Sequence, residues 1–269
     1  MTHDPGPAFR ALHRIGDPFT LVNVWDLGTA RMARAMGAEA IATSSSAFAF
    51  TLGRADGEVS RDETLAHSQA LVGAVDIPVS GDFENGFGAD PETCAETVRL
   101  AAEAGLAGIS VEDTDLPGSG AYAFDLAVER IRAAVAAARA LPRDFVLVAR
   151  ADGVLTGSYD LAEALKRIRA FDAAGADCLY VPTPGDAKAL AQVVGATRKP
   201  VNALAVGPLA KLSRAEFAAM GVARISLGSA LARVTHGAVH ESLNAMLGDG
   251  DFTGMLSGMA GGEVDALLR

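Results

Sequence analysis

Three carboxylate residues follow two apolar segments of the sequence and could act together. Asp82 and Glu84 come directly after residues 77–81, and Glu112 comes after residues 107–111. Because side chains alternate along a strand, Asp82 and Glu84 are expected on the same side of the chain. Carboxylates at the ends of neighbouring parallel strands would repel one another unless a cation shared them, and such oxygen ligands suit Mg²⁺ or Mn²⁺. The sequence therefore predicts a divalent-metal site.

The elements that must position these carboxylates repeat along the chain. Four candidate strands follow a helix-like segment that ends in glycine, at positions 37, 105, 175 and 221. Four more are apolar runs at residues 19–23, 77–81, 145–149 and 200–203. Each predicts a buried parallel strand, and amphipathic segments lie between them. Eight strands in this alternation predict an α/β fold, a (β/α)₈ barrel of the TIM type.

Helix-starting patterns support the alternation. Ser60 and Ser213 each stand three residues before a glutamate, which is the pattern of a capping box. Asp90 precedes a proline, and Asp125 and Asp160 precede apolar helical faces, so each is expected to begin a helix.

Length and composition predict one domain. A chain of 269 residues, half of them hydrophobic, can bury one large core, and we expect a single barrel domain over residues 1–269. Residues 229–269 follow the last strand and predict additional C-terminal helices. These helices either cap the same barrel or pack on a neighbouring subunit.

Charge and hydropathy exclude several partners. The net charge is −10 and the basic residues do not cluster, which argues against nucleic acid. No run approaches the length of a membrane span and no leader-like segment opens the chain, so a cytoplasmic protein is expected. Cys94 and Cys178 have neither metal nor redox spacing and are predicted to be buried thiols.

Catalytic groups of such a barrel should lie where the strands end. The strand ends carry Trp25, Ser44, Ser45, Arg150 and Asn202 besides the carboxylates. A guanidinium can bind a carboxylate bidentately and hydroxyls can bind its other oxygen, so a small carboxylate substrate is expected.

Basic residues narrow the chemistry further. None of the four lysines lies at a strand end, which argues against a Schiff-base aldolase. His236 and His240 share a helix face and predict either a surface or interface pair, or an acid or base if His236 reaches the barrel mouth.

The ordered motifs of the chain resemble the isocitrate lyase and phosphoenolpyruvate mutase superfamily over residues 19–230. The residues that carry this resemblance are Asn23-Val24-Trp25-Asp26, Thr43-Ser44-Ser45-Ser46, Gly53-Arg54-Ala55-Asp56, Asp82-Phe83-Glu84-Asn85-Gly86-Phe87-Gly88, Ser110-Val111-Glu112-Asp113 and Ala149-Arg150-Ala151-Asp152.

The resemblance implies specific roles. That family uses Mg²⁺ to hold a 2-oxo acid or its enolate and assembles as dimers or tetramers by exchanging C-terminal helices. It implies Asp82 as the direct metal ligand, with Asp56, Glu84 and Glu112 acting directly or through water. It also implies that the substrate is bound by Ser44, Ser45, Arg150 and Asn202.

The segment after the fourth strand departs from the family. Isocitrate and methylisocitrate lyases carry a Cys there that protonates the departing carbanion, and phosphonate-cleaving members carry Lys and Asn. Residues 114–122 contain no Cys, Lys, His or Asn. Since loss of CO₂ requires no proton on the departing group, the loop favours decarboxylation of an oxaloacetate-like acid. We expect the loop to close over the substrate and exclude water.

Three alternatives stay open at this point. Retro-aldol cleavage of a methylisocitrate- or dimethylmalate-like acid requires that Tyr122, Ser119 or His236 supplies the acid. Cleavage of the P–C bond of a phosphonopyruvate-like acid is the second. A barrel that binds a 2-oxo acid without turning it over is the third.

Overall fold

The computed structural model describes residues 4–118 and 120–269. Eight parallel strands form a closed barrel in chain order, and β8 pairs with β1. The predicted (β/α)₈ barrel is confirmed. The strands are β1 (Phe19–Asn23), β2 (Ile41–Ala42), β3 (Val79–Asp82), β4 (Gly108–Glu112), β5 (Val146–Arg150), β6 (Cys178–Tyr180), β7 (Val201–Leu204) and β8 (Arg224–Ser226).

Helices surround the barrel, and short 3₁₀ segments lie at Gly207–Lys211 and Thr253–Ser257. The α-helices of the described residues are α1 (Gly6–Leu12), α2 (Leu27–Ala35), α3 (Ser45–Thr51), α4 (Arg61–Ala74), α5 (Pro91–Glu103), α6 (Phe124–Ala140), α7 (Gly153–Thr156), α8 (Leu161–Ala173), α9 (Ala187–Gly195), α10 (Arg214–Ala219), α11 (Ala230–Gly248) and α12 (Gly261–Leu267).

The strand bounds differ from the expected runs by one or two residues. β1 covers the expected residues, whereas β7 begins at Val201 and not at Pro200. Proline has no backbone N–H for the sheet, although its carbonyl oxygen accepts a hydrogen bond from Leu179 N at 2.9 Å. The local chemistry of a strand end, and not its apolar pattern, therefore sets the boundary.

Most of the expected helix starts are present. Ser60 and Ser213 form complete capping boxes, and the Asp160 side chain accepts from Glu163 N. Asp125 is a correction: α6 has Ala123 at its cap and Asp125 lies in the first turn. A carboxylate there still interacts favourably with the helix dipole.

The barrel interior is apolar at the end where the strands begin. Phe9 of α1 packs there with Phe19 of β1, and Val148 and Cys178 belong to the same buried cluster. A larger apolar cluster, to which Cys94 belongs, fills the space between the sheet and the helices. Both thiols are buried, as predicted.

The C-terminal helices leave a large apolar surface exposed. Leu247 and Leu256 are more than four-fifths exposed, at 82% and 87%. α12 lies near α2 of the same chain, where Arg31 Nη1 donates to Leu268 O at 3.4 Å. Helix exchange between subunits, and a dimer or tetramer, stay predictions. Among the described helices, none is both long and apolar enough to span a membrane.

Candidate active site

A cavity of about 350 Å³ opens at the carboxyl ends of the strands. Its wall includes several of the residues singled out from the sequence, namely Ser44, Ser45, Asp56, Asp82, Glu112 and Arg150. Tyr180 of β6, Arg224 and Ser226 of β8, and Asp152 also line it. The structure thus places six of the expected site residues around one space.

Arg150 at the end of β5 is the centre of the carboxylate cluster. Its Nη1 atom lies 2.8 Å from Asp82 Oδ1 and 2.9 Å from Glu112 Oε1. Its Nη2 and Nε atoms donate to the two oxygens of Asp152 at 2.7 and 3.2 Å. The guanidinium carbon lies 5.1 Å from the ring centre of Tyr180. The bidentate pair with Asp152 fixes the plane of the guanidinium.

Asp82 is oriented by the ends of the neighbouring strands. Its backbone N–H donates to Thr43 Oγ1 at 2.7 Å, and its Oδ2 atom accepts from Ser45 N and Oγ, each at 3.2 Å. Ser110 Oγ lies 3.3 Å from the other oxygen. Ser44 has a different role because its hydroxyl caps α3, accepting from Ala47 N at 3.3 Å.

The segment that carries Glu84 has an unusual backbone. Glu84 and Phe87 have φ angles of +48° and +62°, a region that residues with a side chain seldom adopt. The buried Arg130 holds this segment, because its guanidinium donates to the carbonyl oxygens of Asn85 and, at 3.1 Å, Gly88. Arg130 also donates to Glu112 O at 3.1 Å. One side chain therefore ties together two parts of the carboxylate cluster.

Asp113 is a positioning residue to which the sequence analysis assigned no role. Its Oδ1 atom accepts from Asp152 N at 2.8 Å, and its Oδ2 atom accepts from Tyr159 Oη at 2.7 Å and Arg167 Nη1 at 3.0 Å. Asp113 acts through Asp152, which in turn holds Arg150. The adjacent Glu-Asp pair at the end of β4 was the available signal, but only Glu112 was assigned a role.

Five expected site residues do not line this cavity. Trp25 lies in an apolar groove beside α2, and its carbonyl oxygen is 3.0 Å from His67 Nε2. Asn202 is buried beneath the cavity. His236 is on α11, with Nδ1 2.8 Å from Ala232 O and its ring against Phe50.

Tyr122 and Glu84 are the other two. The Tyr122 hydroxyl accepts from Asn85 Nδ2 at 2.8 Å and donates to Asp115 Oδ1 at 3.3 Å, and Arg130 lies over its ring. Glu84 is only 3% exposed. Ser119, the remaining acid candidate, lies outside the described residues.

The carboxylates that line the cavity, and Glu84 beside them, outnumber the positive charges near them. Burial raises the pKa of the Glu84 carboxyl to about 8, and Asp82 and Asp56 add to the rise. Burial also raises the pKa of Glu112, and that of Asp152 to about 6, although Arg150 opposes both shifts. Asp56 is an exposed residue whose carboxylate faces the mouth, where desolvation and Asp82 raise its pKa. A cation would relieve this repulsion, and oxygen donors of this kind fit Mg²⁺ or Mn²⁺.

Direct ligation by several side chains is not seen. Over residues 4–118 and 120–269, no three His, Cys, Asp or Glu residues converge closely enough to hold one ion directly. Arg150 Nη1 lies between Asp82 and Glu112. Since Mg²⁺ usually keeps several waters, this geometry suits one direct carboxylate with the others acting through water. The metal roles of Asp82, Asp56, Glu84 and Glu112 stay predictions.

The raised pKa of Glu84 predicts how metal binding depends on pH. A folded-state pKa of about 8 against an ordinary value of 4.5 means that the folded protein binds this proton more tightly than the unfolded chain. The stability from this group is complete below about pH 4.5 and is lost as the pH rises to about 8. A bound cation favours the ionised form, so the Mg²⁺-induced rise in Tm should grow from about pH 5 to 8.

Calorimetry with Mg²⁺ and with excess chelator at several pH values measures this effect. Glu84→Gln, which cannot ionise, is the matched variant and should show a smaller increase with pH. A Mg²⁺-induced shift that is the same at about pH 5 and 8 would contradict the prediction.

Comparison with known proteins assigns the family. The family model described as phosphoenolpyruvate phosphomutase matches residues 9–247. The chain belongs to the phosphoenolpyruvate phosphomutase family. The resemblance inferred from the ordered motifs is therefore confirmed.

The curated relatives of this chain include two enzymes with different described activities. The 2-methylisocitrate lyase of Escherichia coli K12 is 30% identical over 210 residues, covering 75% of this chain and 70% of the relative. The oxaloacetate decarboxylase of Paraburkholderia xenovorans LB400 is 30% identical over 236 residues, covering 84% and 77%. The phosphoenolpyruvate phosphomutase family thus relates this chain to enzymes that act on different acids.

Solved structures of similar proteins have the same barrel. A Burkholderia cenocepacia J2315 protein with a provisional lyase/mutase description superposes with a TM-score of 0.93 at 45% identity, covering 97% of this chain and 94% of the other. A phosphonopyruvate hydrolase in complex with oxalate and Mg²⁺ superposes with a TM-score of 0.84 at 25% identity, covering 98% and 95%. A metal is therefore present in the structure of one similar protein.

Proposed function

We propose that this protein is a Mg²⁺-dependent lyase that breaks a carbon–carbon bond in a β-carboxy 2-oxo acid, with oxaloacetate-type decarboxylation as the reaction. One observation carries the choice of reaction. Tyr122 stands at the end of the loop of residues 114–122. Its hydroxyl is held by Asn85 and Asp115, and the residue does not line the cavity. The described loop residues that line the cavity are Thr114 and Leu116, neither of which is an ordinary general acid, and this supports a reaction that needs none.

The residues of the mouth supply substrate binding. Arg150 presents a fixed guanidinium for a carboxylate or for the 2-oxo oxygen, and Ser45 adds a hydroxyl beside Asp82. Asp82 and the surrounding carboxylates would hold the ion. When bound, a divalent ion supplies Lewis-acid polarisation of the 2-oxo group. Mn²⁺ would serve the same donor set.

The electron balance of the reaction requires no acid in the cleavage step. The bond between the β-carbon and its carboxylate breaks, CO₂ leaves, and the electron pair forms the carbon–carbon double bond of an enolate. Positive charge at Arg150 stabilises the developing oxyanion. Leu116 and Leu155 line the outer part of the cavity, and an apolar wall favours loss of a neutral molecule over retention of a charged carboxylate.

Retro-aldol cleavage is the second candidate, and Tyr180 is the observation that favours it. Its phenol lines the cavity, is buried, and has a pKa raised to about 12 by that burial. A neutral phenol in this position could donate a proton to a departing carbanion. The relative that is a 2-methylisocitrate lyase is consistent with this alternative.

A substrate panel tests the proposal. Oxaloacetate, methylisocitrate, dimethylmalate and phosphonopyruvate are each incubated with the protein and Mg²⁺, and with excess chelator as the control. The expected result is Mg²⁺-dependent release of CO₂ and pyruvate from oxaloacetate. Pyruvate with succinate from methylisocitrate, or inorganic phosphate from phosphonopyruvate, would replace decarboxylation by the corresponding reaction. Binding without turnover across the panel would indicate a non-catalytic 2-oxo acid binding protein.

Tyr122→Phe is the matched test of the loop. We expect the variant to retain more than about a tenth of kcat, because losing a genuine general acid costs about 10²- to 10⁴-fold. The same expectation applies to Ser119→Ala. A thousandfold loss in either variant with unchanged metal affinity would favour retro-aldol chemistry, and the same loss in Tyr180→Phe would identify that phenol as the acid.

A further inference from the structure

Arg224 is a buried cation inside the barrel. It begins β8, is only 3% exposed, and lines the same cavity as Asp82 and Arg150. Its Nε atom donates to Asn202 Oδ1 at 2.8 Å. Its Nη1 atom is buried and has no hydrogen-bond partner. One side of the guanidinium is therefore fixed, and the other carries an unsatisfied donor.

Among the described residues, no carboxylate contacts this charge directly, and Asp82 acts on it only from a longer distance. Arg150, in contrast, has three carboxylates around it. Cys178 and Tyr180 are close enough to interact, but burial raises the pKa of both groups, so both are neutral near pH 7. A buried guanidinium without an anion in contact is costly, and a hydrogen-bonded anion would offset that cost.

The cavity extends from the carboxylate cluster to Arg224 because the side chains that line it between these two points are small. Inward positions of such barrels usually carry large branched residues that fill the interior. Here Ala42, Ser80, Ser110 and Ser226 line the cavity instead. The space is therefore continuous from the carboxylate cluster to Arg224, and one small molecule can contact both.

The environment of Asn202 explains how Arg224 is held. Asn202 Nδ2 donates to Ser226 Oγ at 2.8 Å while its oxygen accepts from Arg224. These three residues form one buried network on β7 and β8. Asn202 was expected to bind substrate directly, but in this structure it holds a guanidinium that can do so.

We propose that Arg224 binds a second carboxylate of the substrate, one that the reaction does not remove. This inference rests on the proposed lyase function and names its substrate class. A guanidinium stabilises a carboxylate against loss as CO₂, so the group at Arg224 is retained in the product. The substrate is then a 2-oxo acid that carries, besides the departing group, a further carboxylate reaching into the barrel interior.

Ligand pairs that differ only in the distal carboxylate test the assignment. Binding to the Mn²⁺-loaded protein is measured by calorimetry for 2-oxoglutarate against 2-oxovalerate, and for 2-oxoadipate against 2-oxohexanoate. Oxalate, which has no distal group, reports the metal end alone. We expect at least one dicarboxylate to bind about 10- to 100-fold more tightly than its monocarboxylate partner, since a charge-assisted hydrogen bond contributes that much.

Substitutions test whether Arg224 causes the tighter binding of the dicarboxylates. Arg224→Met should abolish this preference and leave oxalate binding within about threefold of wild type. Arg233→Met removes a charge from the exposed rim and should retain the preference. If the Met variant does not fold, Arg224→Lys replaces it as the test. This variant keeps the charge but loses the bond to Asn202, so we expect it to retain only part of the preference for the dicarboxylate.

The results separate this inference from the proposed function. Equal affinity within both ligand pairs in the wild type, or a full preference in Arg224→Met, would overturn the role of Arg224. The substrate panel is therefore extended by oxalosuccinate, a β-carboxy 2-oxo acid with a further carboxylate. A preference that depends on Arg224 in a protein that cleaves neither oxalosuccinate nor the other panel substrates would instead leave the subsite standing and remove the lyase proposal.

Discussion

Replacing Asp82 with asparagine is expected to lower kcat by at least about a thousandfold. Asp82 accepts from Ser45 and Arg150 in an orientation fixed by Thr43, and it is the carboxylate implied as the direct metal ligand. The substitution keeps the size of the side chain and removes its charge. Turnover and Mn²⁺ affinity are measured together, and both should fall.

The control for this prediction is a carboxylate of the surface. Asp62→Asn on α4 removes the same charge from an exposed position and should change kcat by less than about twofold. If Asp82→Asn keeps its metal affinity while kcat falls, Asp82 positions Arg150 and is not the ligand. Wild-type activity in excess chelator would contradict the metal requirement itself.

Arg150→Lys is the substitution with the second largest expected effect. The guanidinium contacts three carboxylates at once and keeps a fixed plane through its bidentate pair with Asp152. An ammonium cannot reproduce this fork, so kcat/KM should fall by about 2–3 kcal/mol or more of transition-state binding. Steady-state kinetics on the substrate identified by the panel measure the loss.

A competing explanation is that Arg150 only balances Glu112. In that case Arg150→Lys would retain kcat/KM, because an ammonium can also neutralise one carboxylate. Thermal unfolding of the variant separates a folding defect from a binding defect. Arg132→Lys on the exposed face of α6 is the control, since Arg132 forms an ion pair with Glu129 at the surface.

The barrel and its carboxylate cluster could be predicted because both are encoded locally. Glycine-terminated helices and short apolar runs recur with a period that only a strand–helix alternation explains, and strand ends of one barrel meet at one face. Asp82, Glu112 and Arg150 could therefore be brought together from sequence alone. The distances between these side chains, and which of them contact one another, could not be predicted because they depend on how far each strand is shifted along its neighbour.

Residues that act through distant partners were missed. Arg130 falls on the buried face of α6 and Arg224 lies within an apolar strand, so each was a charged residue at a core position. A charged residue at a core position indicates a structural or functional role. Which role it has depends on its partners, here backbone carbonyl groups and a side-chain amide that lie far away in the sequence. Trp25 and His236 were expected at the site because of their positions along the chain. Their side chains nevertheless lie outside the cavity, because the direction of a side chain cannot be predicted from its position in the sequence.

The contacts of Asp113 also hold the end of the loop of residues 114–122. Tyr122 N donates to Asp113 O at 2.9 Å, and Arg167, which binds the Asp113 carboxylate, also donates to Tyr122 O at 2.9 Å. Asp113 therefore holds the C-terminal end of the loop and, through Asp152, also orients Arg150. In the proposed function, the loop that determines the reaction is thus held at the same carboxylate that, through Asp152, orients the arginine for binding of the acid.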